Sequence, residues 1–361
     1  MVFKINSIAD YQEQSMKANA DSQSFWADIA RNFVWFKEWN QVLKFNFLEG
    51  KTSWFCDGKT NIAFNCLDRH LPNKANDVAI IWEANDPETS NQSITYQELF
   101  ERVCQFSNLL LANGIKAGDA VCIYMPMIPE ATVAMLACAR IGAIHSVVFA
   151  GFSALALQGR IEDSGAKMLI TADYLYRGDK TVKLFEIANE ALQGCGKIEN
   201  VVVYKRSDEK INCLKNILIW KDEIVKYGKE NKAAAMNSEN PLFILYTSGS
   251  TGKPKGVMHS TAGYMVFAVY SFANVFNYQP DVLFFCTADV GWITGHSYLV
   301  YGPLLNGGKI LMFEGVPTHP TPARFWQIIE KHKVNIFYTA PTAIRALMHK
   351  GDEFVEGFDL S

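Results

Sequence analysis

The sequence predicts an α/β protein made of two stacked, mostly parallel α/β subdomains. From Ser93 onward, helix-like and strand-like segments alternate, and this alternation is typical of a parallel α/β architecture. The strand-like segments are short apolar runs, and glycines and polar residues separate them from the helices. A chain of 361 residues with 49% hydrophobic content is long enough for two or three structural units of ordinary size.

The first α/β subdomain is predicted to span residues 93–225. Thr95 and Glu98 form a capping-box pattern at the start of a helix, and Gly114 is well placed to end that helix. The elements that follow are predicted as strand 120–124, helix 129–141, strand 144–149, helix 154–163, strand 167–171, helix 181–192 and strand 199–204.

Three further regions are predicted outside that subdomain. Residues 1–92 are rich in aromatic side chains and are interpreted as an extension packed on the body. Residues 226–240 are mostly polar and are interpreted as a linker. Residues 241–361 are predicted to form an incomplete second α/β subdomain, with strands at 242–245, 282–286, 309–313 and 335–338 and a helix at 322–332.

A glycine-rich segment directly follows the apolar run Leu242–Leu245. Between Thr247 and Gly256 it contains three glycines, four hydroxyl side chains and two lysines. Glycines let consecutive backbone N–H groups converge on anionic oxygens, and hydroxyl and ammonium groups complete the shell. The segment therefore predicts the binding of a nucleoside triphosphate.

The spacing of this segment differs from that of an ordinary Walker loop. A Walker loop has four residues between a glycine and Gly-Lys-Ser/Thr, whereas here Gly249 precedes Gly252-Lys253 and Pro254 follows. Proline also lacks the N–H group and disfavours the helix that a Walker loop opens. A P-loop kinase is therefore disfavoured.

Composition narrows the class of protein further. A formal net charge of -3 and dispersed lysines and arginines argue against a nucleic-acid or membrane-surface binder. The eight cysteines form no Cys-x-x-Cys pair and the histidines lack zinc-site spacing, so no metal site is expected. The cysteines are typical of reduced thiols in a cytoplasmic protein, and residues 1–14 lack the features of a secretory signal.

Several motifs carry a resemblance to a known family. They are the segment 246–259, Trp54-Phe55, Asn65 to His70, Phe149 to Ser153, and Asp289 to Tyr298 with its continuation to Pro317. On these residues the chain resembles the adenylate-forming enzymes, the acyl-CoA synthetase and luciferase superfamily, and within it the AMP-forming acetyl-CoA synthetases. The resemblance runs nearly from end to end.

The resemblance implies an acetate:CoA ligase reaction in two steps. Acetate attacks the α-phosphate of ATP, which enters with Mg²⁺ as a substrate complex, to give acetyl-adenylate and pyrophosphate. The CoA thiol then displaces AMP, and no tightly bound cofactor is needed. The resemblance assigns the β- and γ-phosphates to Thr247, Ser248, Gly249, Ser250, Thr251, Gly252 and Lys253.

The resemblance also assigns the other two substrates. Ile293 and Thr294 are expected to wall a small acetate pocket, with Thr294 also near CoA. His259 and His296 flank this region, where they would orient ligands. The remaining CoA residues are expected to be Arg177, Gly178, Asp179, Lys180, Thr318, Phe149, Ala150 and Gly151, with Arg177 and Lys180 facing the 3′-phosphate.

The resemblance further implies that the chain is the N-terminal portion of the family's large domain. Its last residue, Ser361, falls before the β-barrel part and the C-terminal domain with the adenylation lysine. No catalytic residue is therefore assigned, and the chain alone is expected to have little activity. Alternatives are a propionyl- or acetoacetyl-CoA synthetase, or a non-catalytic nucleotide- or CoA-binding module.

Overall fold

Two largely parallel sheets organise the chain in the computed structural model, which describes residues 4–213, 215–247 and 254–361. The strands are β1 (Trp35–Lys37), β2 (Gln41–Asn46), β3 (Lys51–Cys56), β4 (Lys59–Thr60), β5 (Val78–Glu83), β6 (Gln92–Thr95), β7 (Ala120–Tyr124), β8 (Ile144–Val147), β9 (Met168–Ala172), β10 (Tyr174–Arg177), β11 (Lys180–Lys183), β12 (Asn200–Tyr204), β13 (Asn216–Ile219), β14 (Met236–Asn237), β15 (Pro241–Thr247), β16 (Lys255–Ser260), β17 (Leu283–Cys286), β18 (Lys309–Phe313) and β19 (Ile336–Tyr338).

The helices cover the faces of these sheets. They are α1 (Ile8–Ala20), α2 (Ser22–Ala30), α3 (Ile62–Cys66), α4 (Leu71–Lys74), α5 (Tyr96–Ala112), α6 (Pro129–Ile141), α7 (Ala154–Ser164), α8 (Leu184–Leu192), α9 (Trp220–Ile224), α10 (Thr261–Val275), α11 (Ile293–Gly295), α12 (Gly302–Leu305), α13 (Arg324–His332) and α14 (Pro341–Met348). A π-helix, His296–Tyr301, joins α11 to α12, and a 3₁₀ turn spans Asp352–Phe354.

The first sheet has seven strands in the order β13-β12-β9-β7-β8-β15-β16. All neighbouring pairs are parallel except β15 and β16, which form an antiparallel pair at one edge. The second sheet has five strands in the order β19-β17-β18-β5-β6, and only β6 is antiparallel. The prediction of two mostly parallel α/β units is confirmed.

Alternation along the strands shows how the layers stack. In β7, Val121 and Ile123 belong to the largest core while Cys122 belongs to a second core that holds α7 and α8. In β18, Ile310 belongs to the largest core while Leu311 packs with α13 and α14. Because successive residues of a strand face opposite sides, the helices α5, α6 and α10 lie between the two sheets, whereas α7 and α8 cover the outer face of the first sheet and α13 and α14 that of the second.

Local sequence explains several boundaries of the helices. The predicted capping box begins α5, since the Thr95 hydroxyl accepts from the Glu98 N–H and the Glu98 carboxylate accepts from the Thr95 N–H. Gly142 ends α6 in the left-handed conformation with φ +77°. The predicted strand 120–124 and helix 129–141 coincide with β7 and α6.

The predicted helix 181–192 begins too early. Residues 180–183 form β11, which pairs with β10 in an antiparallel hairpin, and α8 begins only at Leu184. Thr181 and Val182 are β-branched, so they pair across the hairpin with Tyr176 and Leu175 rather than extend the helix. The candidate residues 177–180 are therefore the tip of a hairpin and not an open loop.

The sheets also divide the chain differently from the predicted borders. β5 lies inside the second sheet, where Ile80 pairs with Ile310, so residues 1–92 are more than an extension. β15 and β16 lie in the first sheet, since Phe243 of β15 pairs with His145 of β8. The glycine-rich segment thus joins two strands of the first sheet rather than opening a second subdomain. Strands that are distant in sequence pair with each other here, so the order of segments along the chain does not show which sheet each strand joins.

Candidate functional site

A cavity of about 220 Å³ lies where the carboxyl ends of strands from both sheets meet. Its walls come from the segments that follow β7, β8, β17, β18 and β19, together with the hairpin β10–β11. The lining includes Met127, Phe149, Ala150, Arg177, Asp289, Glu314, Gly315, Pro317 and Ala340. Ligands of parallel α/β sheets commonly bind at this edge, because the connecting loops there converge. We call this the strand-end cavity.

The structure brings Phe149 and Arg177, two of the predicted CoA residues, together at this cavity. The Arg177 guanidinium lies 5.6 Å from the centre of the Phe149 ring. Phe149 also lies 6.0 Å from the Trp292 ring, and Ala150 is buried beside it. An aromatic face next to a cation is a surface that suits a flat base carrying phosphate.

The hairpin β10–β11 presents two cations at its tip. Arg177 pairs directly with Lys180 across a two-residue turn, and Gly178 takes φ +61° at its first position. Side chains of directly paired residues emerge on the same face of a hairpin. Both are exposed, and neither forms an ion pair within the part of the chain that the structure describes. The tip is therefore available to an anion.

The segment that holds Thr318 packs against the same hairpin. His319 Nδ1 lies 3.1 Å from the carboxylate of Asp179, and a Cβ atom built on Gly178 would lie 3.2 Å from the Val316 side chain. Asp179 therefore faces His319 rather than the two cations. The predicted CoA residues of the segment after β8, the hairpin and the Thr318 segment thus form one continuous surface.

Ile293 and Thr294 lie on α11, away from the hairpin tip. Ile293 lines a separate apolar cavity of about 540 Å³, together with Trp54, Met258, His259, Tyr264 and Phe267. Its side chain is exposed at 44%, while Thr294 is half-buried in the same turn. The β-branched Ile293 forms one wall of an open apolar cavity and does not by itself enclose a small pocket.

Two buried histidines lie beneath this second cavity. The rings of His145 and His296 stack with centroids 5.6 Å apart, and His145 Nε2 is 3.1 Å from the Tyr301 hydroxyl. Burial lowers the pKa of His296 to about 3 and also lowers the pKa of His145. Both rings therefore stay neutral near pH 7, so they add no charge next to this cavity.

The predicted phosphate segment falls mostly outside the described residues. Ser248, Gly249, Ser250, Thr251, Gly252 and Lys253 lie there, while Thr247 ends β15 and Lys255 begins β16. Thr247 and Lys255 are direct partners across the antiparallel pair. The two ends of the segment are thus fixed side by side at the edge of the first sheet.

Two residues of the site were missed by the sequence analysis. Asp289 follows β17 and lines the strand-end cavity, where its carboxylate accepts from the Gly291 N–H at 2.7 Å. Asn85 follows β5 and bonds to the hairpin turn. The signal for Asp289 is its place three residues after the apolar strand β17, near the strand end where functional residues of parallel sheets are expected. Asn85 has no comparable signal.

We expect Asp289→Asn to stabilise the protein more at pH 7.5 than at pH 4. Burial raises the pKa of the Asp289 carboxyl from 3.8 to about 6, against the Gly291 hydrogen bond and the charge of Arg177. Because the folded pKa is the higher one, the wild type loses stability as pH rises from 3.8 through 6, and the amide does not. The gain at pH 7.5 should exceed that at pH 4 by about 2 kcal/mol.

Denaturant unfolding at both pH values measures this difference. Asparagine keeps an acceptor for the Gly291 N–H, so Asp289→Ala serves as the comparison that loses both the charge and the acceptor. Both variants should gain stability relative to the wild type as pH rises. A gain that is the same at pH 4 and pH 7.5 would show that the carboxylate does not titrate in this window.

Two properties of the described residues bear on the class of site. No group of three or more histidine, cysteine, aspartate or glutamate side chains in residues 4–213, 215–247 and 254–361 could hold a metal ion. None of the helices in those ranges combines the length and apolar character needed to cross a membrane.

Two family models match the chain. The model described as AMP-binding enzyme matches residues 67–361, and the model described as acetyl-coenzyme A synthetase N-terminus matches residues 11–66. The first covers both sheets and the strand-end cavity.

Individual proteins are similar over nearly the whole chain. A Saccharophagus degradans protein named acetyl-coenzyme A synthetase is 57% identical over 333 residues, which are 92% of this chain and 52% of that protein. One of the same name from Vibrio cholerae is 52% identical over 97% of this chain and 54% of its own length. The solved structure of acetoacetyl-CoA synthetase from Streptomyces lividans superposes with a TM-score of 0.86 at 24% identity, over 94% of this chain and 52% of that one. The chain thus spans about half the length of the curated relatives it matches.

Proposed function

Because the chain belongs to the AMP-binding enzyme family, we propose that the protein that carries it is an AMP-forming acetate:CoA ligase. In the first step a carboxylate oxygen of acetate bonds to the α-phosphorus of ATP, and the bond to pyrophosphate breaks. In the second step the CoA sulfur bonds to the acetyl carbon, the carbon–oxygen bond to AMP breaks, and the thiol proton is released. Magnesium enters bound to ATP.

The observation that carries this proposal is the surface around the strand-end cavity. Phe149, Arg177, Lys180 and the Thr318 segment lie together there, although they are far apart in sequence. An adenine ring next to phosphates requires an aromatic or apolar face beside cations, and this surface has both. We assign it to the nucleotide part of CoA.

A thiol substrate must also reach an acyl group from this surface. The exposed Arg177 lines the strand-end cavity together with Met127, Ala150 and Asp289. A largely apolar cavity of about 220 Å³ has room for a chain such as the pantetheine arm of CoA. In this proposal the arm enters past Phe149 and points toward α11.

The proposed binding residues for ATP and acetate follow from where these residues lie in the fold. Thr247 and Lys255 anchor the ends of the glycine-rich segment at a sheet edge, and we propose that Thr247 to Lys253 hold the β- and γ-phosphates. His259, four residues after Lys255, lines the same cavity as Ile293. We propose that Ile293 and Thr294 face the acetate methyl group, so that the phosphates and the acid approach each other from adjacent elements.

In this proposal the protein promotes the reaction chiefly by positioning its substrates. Acetate is already ionised near pH 7, so adenylation requires no general base, and His145 and His296 are held neutral by burial. Nucleotidyl transfer depends chiefly on aligned donors and cations around the phosphate oxygens. The residues of this chain would bind and orient the three substrates.

Exchange of labelled pyrophosphate into ATP tests the proposal in the intact protein. We expect exchange that depends on acetate, and kcat/KM for acetate about tenfold above that for propionate, since one extra methylene in an apolar pocket shifts binding by about 1–3 kcal/mol. Reactions without acid provide the control. Exchange that is independent of added acid would refute the ligase, and a preference for propionate would refute the acetate assignment alone.

A further inference from the structure

The side chain of Asn85 is tied to the hairpin tip by two hydrogen bonds. Its amide Nδ2 donates to the Gly178 carbonyl at 3.0 Å, and its Oδ1 accepts from the Gly178 N–H at 2.7 Å. Asn85 is only 8% exposed and is the second residue after β5 of the second sheet. One carboxamide thus satisfies both backbone groups of a single residue, 93 positions away in the sequence.

The residue held in this way is the turning point of the hairpin. Gly178 takes φ +61°, and a Cβ atom there would lie 3.2 Å from Val316 Cγ2. The hairpin turn at Gly178 therefore contacts Asn85 and also the segment that contains Val316. A positive φ at this position fits glycine without strain.

The hairpin tip is under electrostatic strain that a rigid anchor would offset. Arg177 and Lys180 are direct cross-strand partners, and like charges in such pairs repel each other. The hairpin has only two strands, and two-stranded hairpins are marginally stable on their own. Without its anchor, the tip would be expected to splay and move the two cations apart.

We propose that Asn85 is a positioning residue for the 3′-phosphate of CoA. It touches no substrate, and it acts by holding the Gly178 peptide so that Arg177 and Lys180 present their charges to one phosphate group. This inference rests on the proposed function, because it takes the hairpin tip as the binding site for that phosphate. Charge-assisted hydrogen bonds weaken steeply when the donors are displaced, so a loose tip would bind the phosphate poorly.

The experiment compares CoA with dephospho-CoA, which lacks only the 3′-phosphate. In the intact ligase we expect kcat/KM for CoA to exceed that for dephospho-CoA by about tenfold or more. Asn85→Ala should lower kcat/KM for CoA about tenfold, mainly through KM, and should change kcat/KM for dephospho-CoA by less than about twofold. Acetate-dependent pyrophosphate exchange, which needs no CoA, should be unchanged.

Asn91→Ala is the matched control. Asn91 lies in the same connection between β5 and β6, but its amide contacts Lys331 and His332 of α13 at 3.4 Å and not the hairpin. The Asn91→Ala variant should retain the wild-type preference for CoA over dephospho-CoA. Asn85→Ser, which keeps a hydroxyl near Gly178, repeats the test if the alanine variant does not fold, and the preference should then fall by a smaller factor.

The outcomes separate the two proposals. If the wild type lacks acetate-dependent exchange, the ligase assignment fails and the inference fails with it. If exchange is present but the wild type does not distinguish CoA from dephospho-CoA, the hairpin is not a phosphate site. If the wild type distinguishes them and Asn85→Ala does so equally, or if the variant loses exchange and both CoA activities alike, Asn85 has no positioning role and the ligase assignment stands.

Discussion

Glu83→Ala is expected to lower the free energy of unfolding by about 3–5 kcal/mol, since it breaks a buried ion pair by removing one partner. The Glu83 side chain is 1% exposed, and its carboxylate lies 2.8 Å from Arg324 Nη2, 3.2 Å from Lys331 Nζ and 2.8 Å from His332 Nε2. Arg324 is itself 2% exposed, and among these partners only Glu83 carries a negative charge. Alanine would leave the Arg324 guanidinium buried without a counterion.

The loss of stability in Glu83→Ala should become smaller at low pH. Burial acts to raise the pKa of Glu83, but the hydrogen bonds from His332 and Arg324 outweigh it and lower the pKa from 4.5 to about 2. Because the folded pKa is below the unfolded one, the stabilisation is complete above pH 4.5 and is lost as pH falls toward 2. The difference between wild type and variant should therefore shrink below pH 4.5.

Chemical denaturation of wild type and variant at pH 7 measures the effect, and Glu88→Ala is the control. Glu88 lies in the connection that follows β5 but is exposed, so its removal should change stability by no more than about 0.5 kcal/mol. A loss below 1 kcal/mol for Glu83→Ala would mean that the other groups around Arg324 compensate for its charge.

Gly295→Ala is expected to destabilise the protein by about 3 kcal/mol or more, because the added methyl group meets the backbone. A Cβ atom on Gly295 would lie 2.1 Å from the carbonyl oxygen of Asp289 and 2.8 Å from Cα of Val290. Side chains could rotate away from such a contact, but backbone atoms cannot. The helix α11 would have to move away from the segment that follows β17.

The same displacement would move Ile293 and Thr294, which precede Gly295 in α11. In the proposed ligase we therefore expect a higher KM for acetate in addition to a lower melting temperature. Gly159→Ala is the control, since Gly159 lies in α7 and no atom of the described residues comes within 4 Å of the added Cβ, so alanine there should stabilise the helix by about 0.5–1 kcal/mol. Equal melting temperatures for the two alanine variants would contradict the packing argument.

Regular elements with local signals were predictable from the sequence. β7 and α6 match their predicted ranges because an apolar run, a proline at the first turn and a glycine at the end are all encoded nearby. β5 was not assigned, since the strand that completes its pairing, β18, comes more than 200 residues later. Sequence patterns report local preference, whereas strand order in a sheet depends on distant segments.

In the candidate site, too, some residues were predictable from the sequence and others were not. Arg177, Lys180 and Phe149 were predicted from motifs, and the structure brings them to one surface. The form of the hairpin was missed, although Gly178-Asp179 between two β-prone runs is a recognisable turn signal. Asn85 could not have been found, because its hydrogen bonds join residues that share no local pattern.

The pairing of β5 with β18 also sets an order of events during biosynthesis. Ile80 pairs with Ile310, a separation of 310 − 80 = 230 residues. At a synthesis rate of about 5–20 residues per second, β5 would wait roughly 10–50 seconds for its partner. The seven-stranded sheet is complete once Ser260 has emerged, so it can assemble earlier. During this interval the apolar run Val78–Trp82 can pair with β6 alone, so one edge of β5 stays open to pairing with other chains.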